Sequence, residues 1–159
     1  MNAPGKRFMA KIVIDANVII SAAFGGKPLD AVIRAIEEHE TFLSEPIERE
    51  LKEVFSRLSK KLSKEQIAFL QERMEEIIRR AKRISVSAQV TLSRDAKDDH
   101  YLSLCNEAGA DFLLTGDKDL LSIPREALKK NGISCRIVSP QDFLENIPLQ
   151  QSKIRARKR

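Results

Sequence analysis

The chain has 159 residues, of which 42% are hydrophobic and 32% charged, a composition typical of a soluble domain with one core. It contains neither an apolar run of about eighteen residues nor a charged-then-apolar leader, so we expect no membrane span and no signal peptide, and we expect a cytoplasmic protein. Its two cysteines, Cys105 and Cys135, lie in helix-like and strand-like patterns. This placement predicts buried reduced thiols rather than a disulfide or a zinc site.

The net charge of +5 is concentrated at the C-terminus. The last seven residues carry five basic side chains, which leaves the rest of the chain formally neutral: Lys153, Arg155, Arg157, Lys158 and Arg159. We therefore predict a flexible N-terminus over 1–8, one domain over 9–146 and a basic, disordered tail over 147–159. Such a tail would attract a polyanion without regard to sequence, or it would serve only solubility.

Apolar runs that end in acidic or polar residues mark the first strands. Met9 to Asp15 predicts a strand buried on both faces, because Ile12 to Ile14 has no polar alternation. The pattern breaks at the glycine pair before Lys27, where no phosphate-loop or dinucleotide-binding spacing is present. Helical spacing resumes from Leu29 to His39, and Phe42 with Leu43 predicts a second short strand.

Two amphipathic helices follow, over Ile47 to Leu58 and over about Ser63 to Ala81. In the first, Glu50 borders the apolar stripe and is expected to point inward, whereas Glu48 and Glu53 are expected in solvent. The second carries a basic flank that is either a solvated face or an RNA-binding surface. The flank consists of Lys64, Arg73, Arg79, Arg80, Lys82 and Arg83.

The third acidic position lies at the start of a later helix. Ile84 to Val90 predicts a strand or an extended connection, and the acidic cluster Arg94 to Asp99 follows it. We expect Asp98 to cap the helix and Asp99, three residues before apolar Leu102, to face the sheet edge.

The fourth position follows the strongest strand signal of the chain. The run Phe112 to Thr115 predicts a strand buried on both faces, and Gly116 then permits a sharp turn that delivers Asp117 and Asp119 to the rim of the sheet. A last strand over Ile133 to Val138 and a short helix over Pro140 to Asn146 complete the predicted elements.

Alternating strands and helices predict one α/β domain with a largely parallel sheet, whose carboxyl edge binds ligands. We expect Asp15, Glu50, Asp99 and Asp117 to meet at that edge. Two carboxylates about 4 Å apart repel by roughly 4 kcal/mol at an effective dielectric of 20, so four together require protonation or a bound cation. Oxygen ligands alone select Mg²⁺ or Mn²⁺, whose natural chemistry with phosphate esters is phosphoryl transfer to water.

Four segments, in their order and spacing, resemble the PIN domain (PilT N-terminus) family over roughly residues 9–146. They are similar to the branch that contains the VapC-like toxin components of toxin–antitoxin systems. The segments are Val13 to Val18, Ser44 to Leu51, Arg94 to Asp99 and Thr115 to Leu120.

The resemblance implies a three-layer α/β/α fold and a Mg²⁺- or Mn²⁺-dependent endoribonuclease, a phosphodiester hydrolase acting on RNA. It places Asp15, Glu50, Asp99 and Asp117 at the family's acidic positions, with Asp119 as a fifth metal ligand. Asn17 and Thr115 are similar to residues that orient the first and fourth aspartates. A homodimer and an inhibitory antitoxin are further implications.

The chain departs from the family pattern at two places. Ala16 stands where threonine is frequent, and Ala96-Lys97 replaces the usual Pro-Asp. Neither change removes a ligand, although both weaken the outer support of the site.

Two other functions remain open from the sequence. A metal-dependent phosphatase would use the same acidic rim, and a catalytically silent module would bind RNA or an antitoxin without turnover. Neither His39 nor His100 is placed for acid–base catalysis, and both are expected at the surface. If the predicted register of the helix is wrong by one position, Glu53 rather than Glu50 is the acidic ligand from this helix.

Overall fold

The computed structural model of the protein describes residues 9–92 and 98–146. The predicted tail, the N-terminal eight residues and Arg94 to Lys97 of the third acidic segment lie outside these residues. The strands are β1 Lys11–Ile14, β2 Glu40–Leu43, β3 Lys82–Arg83, β4 Phe112–Leu114 and β5 Arg136–Val138. The helices are α1 Ala16–Ser21, α2 Gly26–Glu38, α3 Glu45–Leu58, α4 Lys64–Arg80, α5 Asp99–Ala108, α6 Lys118–Leu121, α7 Arg125–Lys130 and α8 over 140–146, with a 3₁₀ turn at Ala22–Phe24.

The five strands form one parallel sheet in the order β3-β2-β1-β4-β5. Ile14 of β1 is in register with Leu114 of β4, and the Asp15 backbone N–H donates to the Leu114 carbonyl at 2.9 Å. The residues that follow β1 and β4 therefore leave the sheet at the same level. This register, set by two apolar runs, is what brings Asp15 and Thr115 together.

The core lies on both faces of β1 and β4, whose apolar side chains are almost completely buried. Helices α1 to α4 pack against one another, and α5 packs on β1 and β4. The predicted single α/β domain with helical layers around a parallel sheet is confirmed. No helix within 9–92 or 98–146 is both long and apolar enough to cross a membrane.

Local sequence signals account for the boundaries of the long helices. Ser63 and Gln66 form a reciprocal capping box at the start of α4, and Pro46 occupies the first turn of α3. The predicted strand over Ile84 to Val90 is not one, since β3 ends at Arg83 and the following residues are irregular. The alternative interpretation of an extended connection is the correct one.

Three expectations about polar side chains are wrong. Glu48 is buried and pairs with Arg83, so it does not face solvent. Asp98 precedes α5 in a helical backbone conformation, and its side chain makes no capping hydrogen bond. His39 is buried at the end of α2, where its Nδ1 accepts from the Ala10 backbone N–H at 3.0 Å, and burial lowers its pKa.

The predicted state of the cysteines agrees with the structure. Cys105 on α5 and Cys135 before β5 are both buried and unbridged. They contribute to the core.

Candidate functional site

Asp15 is the centre of the candidate site. It follows β1, caps α1 and is only 2% exposed. Its Oδ1 accepts from the Asn17 backbone N–H at 2.9 Å, with the Asn17 side-chain amide at 3.5 Å, and its Oδ2 accepts from the Thr115 hydroxyl at 2.7 Å. These donors fix the orientation of a carboxylate that the fold has removed from water.

Thr115 connects Asp15 to Asp117. Its fully buried hydroxyl donates to Asp15 and accepts from the Asp117 backbone N–H at 3.0 Å. Asp117 then caps α6, since its Oδ1 accepts from the Asp119 backbone N–H at 2.8 Å. The carboxyl ends of β1 and β4 are thus joined through one threonine hydroxyl.

Asp15 and Asp117 line one pocket of about 320 Å³, which we call the acidic pocket. Its other lining residues are Asn17, Val18, Ser21, Pro28, Gly116 and Pro140. Among the described residues, neither Asp15 nor Asp117 forms an ion pair with a lysine or an arginine. Within 9–92 and 98–146, the two carboxylates of the pocket therefore have hydrogen-bond donors but no cationic partner.

Glu50 reaches the site through Tyr101. The Tyr101 hydroxyl donates to Glu50 Oε1 at 2.6 Å and accepts from the Ala16 backbone N–H at 3.0 Å. Glu50 is half-buried, and His100 Nε2 lies 3.3 Å from the same Oε1. Glu53, the alternative to Glu50, is exposed on α3. The helix register therefore selects Glu50.

Asp99 and Asp119 occupy different surroundings. Asp99 is buried in the first turn of α5, and its Oδ1 accepts from the Leu92 backbone N–H at 3.0 Å. Asp119 is exposed, and its contact with Asp117 is made by its backbone. Of the acidic residues that the structure describes, only Asp15 and Asp117 line the acidic pocket.

The electrostatics of the site are those of a buried carboxylate in a negative environment. Burial raises the pKa of Asp15, and the Glu50 charge acts in the same direction, whereas hydrogen bonds from Asn17 and Thr115 oppose the rise. Burial, the Asp15 charge and the hydrogen bond to Glu50 raise the pKa of Tyr101. The tyrosine therefore stays protonated and remains a donor.

The donor set is made only of oxygen atoms and suits a hard divalent cation. Within 9–92 and 98–146, no three acidic, histidine or cysteine side chains are grouped closely enough to hold a metal ion. Mg²⁺ is commonly bound in proteins by one or two carboxylates together with waters and phosphate oxygens. The pair Asp15 and Asp117 fits that mode of binding.

Sequence reasoning missed Tyr101 and the placement of His100. Tyr101 is the single tyrosine of the chain and is 1% exposed, and the ring of His100 lies 4.1 Å from its ring. The signal that could have identified Tyr101 is its helical spacing with Leu104, Cys105 and Ala108 on the buried side of α5. A buried tyrosine hydroxyl requires a polar partner, and the nearby carboxylates provide one.

The fold is similar to that of a known complex. A chain of VapBC2 from Rickettsia felis, in a crystal structure bound to a DNA fragment from their promoter, superposes with a TM-score of 0.51 and 14% identity. The alignment covers 81% of this chain and 98% of that chain. At this identity the likeness concerns the fold alone. No curated protein sequence matches the chain.

The sequence profile of the PIN domain matches residues 11–119. The matched region begins with β1 and ends at the second residue of α6, so it includes Asp15, Glu50, Asp99 and Asp117. The chain belongs to the PIN domain family.

Proposed function

We propose that this protein is a Mg²⁺- or Mn²⁺-dependent endoribonuclease that acts as the toxin of a toxin–antitoxin pair. The observation that carries the proposal is the pair Asp15 and Asp117, held by Thr115 in one pocket without a compensating cation from the described residues. Maintaining buried negative charge without a partner opposes folding, so such a pair is typical of a functional site. Membership of the PIN domain family supports a nuclease.

Asp15 and Asp117 would hold the metal ion, and Glu50, Asp99 and Asp119 would contribute directly or through bound water. When bound, the ion would polarise the scissile phosphate and lower the pKa of an attacking water. The chain itself orients these carboxylates through Asn17, Thr115 and Tyr101. The remaining space of the acidic pocket admits the phosphate group of an RNA strand.

The proposal is tested by incubating the full chain with labelled RNA in Mn²⁺, in Mg²⁺ and in EDTA. We expect cleavage with either metal and none with EDTA. Addition of excess phosphomonoester distinguishes an RNase from a general phosphatase. Strong inhibition together with release of free phosphate would replace the endoribonuclease by a phosphatase, whereas unchanged RNA cleavage supports the proposal.

One observation favours a second function, a silent module that binds RNA or an antitoxin without turnover. Of the four acidic positions Asp15, Glu50, Asp99 and Asp117, only Asp15 and Asp117 line the acidic pocket. A Mn²⁺ titration by calorimetry, combined with the cleavage assay, separates the two functions. Tight RNA binding without cleavage at saturating Mn²⁺ would favour the silent module.

We infer an antitoxin partner from the resemblance to a chain of a VapBC2 complex. A cytoplasmic homodimer, with one nuclease domain over 9–146 in each chain, is the assembly we propose. Co-expression with a protein encoded by an adjacent gene, followed by size-exclusion chromatography, tests both. A single peak of monomer mass under all conditions would contradict the assembly.

The basic tail is proposed to add RNA affinity through counterion release. Truncation before Lys153 removes five basic side chains. We expect weaker RNA binding and a shallower dependence of affinity on salt, with the cleavage chemistry retained. Equal affinity of the truncated and full-length chains at low salt would leave the tail without a role in RNA binding.

A further inference from the structure

The acidic pocket has an apolar wall as well as an acidic one. Val18, Pro28 and Pro140 line it together with Asp15 and Asp117. They come from three different elements: α1, the first turn of α2 and the start of α8. The two carboxylates do not account for this wall, because a metal ion with its waters needs no apolar surface.

An exposed aromatic residue lies in the chain segment that borders this pocket. Phe24 is 61% exposed and ends the 3₁₀ turn Ala22–Phe24. It lies between Ser21 and Pro28, both of which line the pocket. Of the described residues, the only other large hydrophobic side chain this exposed is Met9 at 60%. Met9 precedes β1 and so lies at the amino edge of the sheet, roughly 20 Å of strand away from Asp15.

We propose that the acidic pocket binds one nucleoside of a single-stranded RNA, which packs on the wall of Val18, Pro28 and Pro140, and that Phe24 stacks on the next base. This inference rests on the proposed ribonuclease function and adds the form of the substrate. Phe24 would be a substrate-binding residue, and Asp15 and Asp117 would lie beside the phosphate that links the two nucleosides.

The size of the pocket suits one unpaired nucleoside. At about 320 Å³ it is at the small end of the range for ligand sites, enough for one nucleoside but not for a paired helix. Bases in a duplex are stacked on one another and are not available to side chains, whereas unpaired bases stack on aromatic residues. An exposed phenylalanine in the short segment between two lining residues, Ser21 and Pro28, is suited to stacking on an unpaired base.

Steady-state cleavage in Mn²⁺ by wild type, Phe24→Ala, Phe24→Trp and Met9→Ala tests the proposal. The substrate is a 12-nucleotide single-stranded RNA, compared with the same RNA as a duplex. We expect Phe24→Ala to lower kcat/KM at least about fivefold, mainly through KM, since this is the lower end of the loss of one base–aromatic stack. Phe24→Trp and Met9→Ala should stay within about twofold of wild type, and the duplex should be cleaved at least tenfold more slowly.

A binding experiment identifies the base. In an Asp117→Asn background, which is expected to bind without cleaving, the affinity for the RNA is measured by fluorescence anisotropy with and without Phe24→Ala. The measurement is repeated on oligomers that lack a single base at successive positions. At one position, removal of the base should weaken RNA binding by the protein that retains Phe24 about as much as Phe24→Ala weakens binding of the intact RNA. The two changes together should weaken binding no more than either change alone.

The outcomes distinguish failure of the nucleoside site from failure of the ribonuclease function. RNA cleavage that is unaffected by Phe24→Ala, or equal cleavage of single strand and duplex, would overturn the nucleoside site while leaving the ribonuclease intact. Absence of both cleavage and RNA binding in the wild type would overturn both. Since Phe24 is exposed, an unchanged Tm confirms that a loss in Phe24→Ala is not unfolding.

Discussion

The acidic pocket and the basic flank of α4 and β3 are both strongly charged, and they differ in how the charge is compensated. In the flank, Arg73 and Arg80 pair with Glu76, Lys82 pairs with Glu40, and Arg83 pairs with Glu48. In the acidic pocket, no lysine or arginine of the described chain pairs with Asp15 or Asp117. The fold thus pairs four of the six basic side chains of the flank, whereas the two carboxylates of the pocket have no cationic partner among the described residues.

The comparison shows why a run of like charges is weak evidence for a binding surface. Part of this pairing is hidden in the sequence, because the partners of Lys82 and Arg83 lie far away along the chain, on β2 and α3, whereas Glu76 lies on α4 itself. A surface already neutralised by its own partners attracts phosphate weakly. Substitutions that remove a charge or a hydrogen bond from one region at a time test this difference. Each result shows whether the acidic pocket and the basic flank differ in their contribution to activity and RNA binding.

The largest effect is expected from Asp15→Asn, with Asp117→Asn as its counterpart. Either change removes a proposed metal ligand, and we expect a loss of Mn²⁺-dependent RNA cleavage of more than about 100-fold, above the range seen for outer-shell residues. Mn²⁺ at 100 times its Kd should also raise the free energy of unfolding of the wild type by about 2.7 kcal/mol. The same Mn²⁺ concentration should stabilise Asp15→Asn little.

Asp30→Asn is the control for this experiment, since Asp30 is exposed on α2. It should retain both the cleavage and the stabilisation by Mn²⁺. Metal-free Asp15→Asn should be at least as stable as wild type near neutral pH, because a buried carboxylate with a raised pKa destabilises the fold when it is ionised. Full activity of either aspartate variant would exclude the pocket as the catalytic site.

The next effect is expected from Thr115→Val. The change keeps the shape of a fully buried residue and removes the hydroxyl that connects Asp15 to Asp117. We expect Mn²⁺ affinity or activity to fall about 10- to 100-fold, the range for residues that orient metal ligands. Calorimetry and the cleavage assay measure the two quantities.

Thr41→Val in β2 is the matched control, because Thr41 is a strand threonine buried to 4% exposure and lies away from the acidic pocket. Both substitutions change the stability of the fold. Only Thr115→Val should change Mn²⁺ binding. Equal effects of the two substitutions on activity would mean that Thr115 has a purely structural role.

A smaller effect is expected from Tyr101→Phe. Without the hydroxyl, Glu50 loses its 2.6 Å donor and the Ala16 N–H loses its acceptor. We expect about a tenfold loss in kcat with KM little changed, together with about 1–2 kcal/mol of stability. A loss of stability without any change in kcat would show that Glu50 does not take part in the reaction.

These residues also show what the sequence can predict. The strands β1 and β4 and the aspartates that follow them are encoded locally, by apolar runs that end in Asp15 and in Thr115-Gly116-Asp117, so the fold class and the meeting of these residues could be expected. Right-handed crossovers carry the carboxyl ends of β1 and β4 to the same edge of the sheet, where the two strands pair in parallel.

The contacts that sequence reasoning missed join residues far apart in the chain. Tyr101 contacts Glu50 and Ala16, which are 51 and 85 residues away, and helical periodicity carries no information about such partners. The prediction that Glu48 faces solvent fails for the same reason, because only the folded chain brings Arg83 to it across 35 positions. Periodicity predicts which side of a helix is buried, and the tertiary fold decides which polar groups that side tolerates.

The smallest effect on activity is expected from Arg83→Met, which breaks the pair with Glu48. The Glu48 side chain is 11% exposed and the Arg83 side chain 61%, so the pair lies between a surface and a buried ion pair, and we expect a loss of about 1–2 kcal/mol in urea unfolding. RNA affinity should stay within about twofold. Glu48→Gln provides the decisive comparison, because it removes the same pair but leaves the cation in place.

If the basic flank only stabilises the fold, both substitutions destabilise it and neither changes RNA binding. If the flank binds phosphate, the two substitutions act in opposite directions. Arg83→Met would then weaken RNA binding and reduce the salt dependence by about one counterion, while Glu48→Gln would strengthen binding by freeing the guanidinium. Opposite signs in the anisotropy measurement would make the flank a second RNA surface, and equal null effects would leave the acidic pocket as the charged region that serves the substrate.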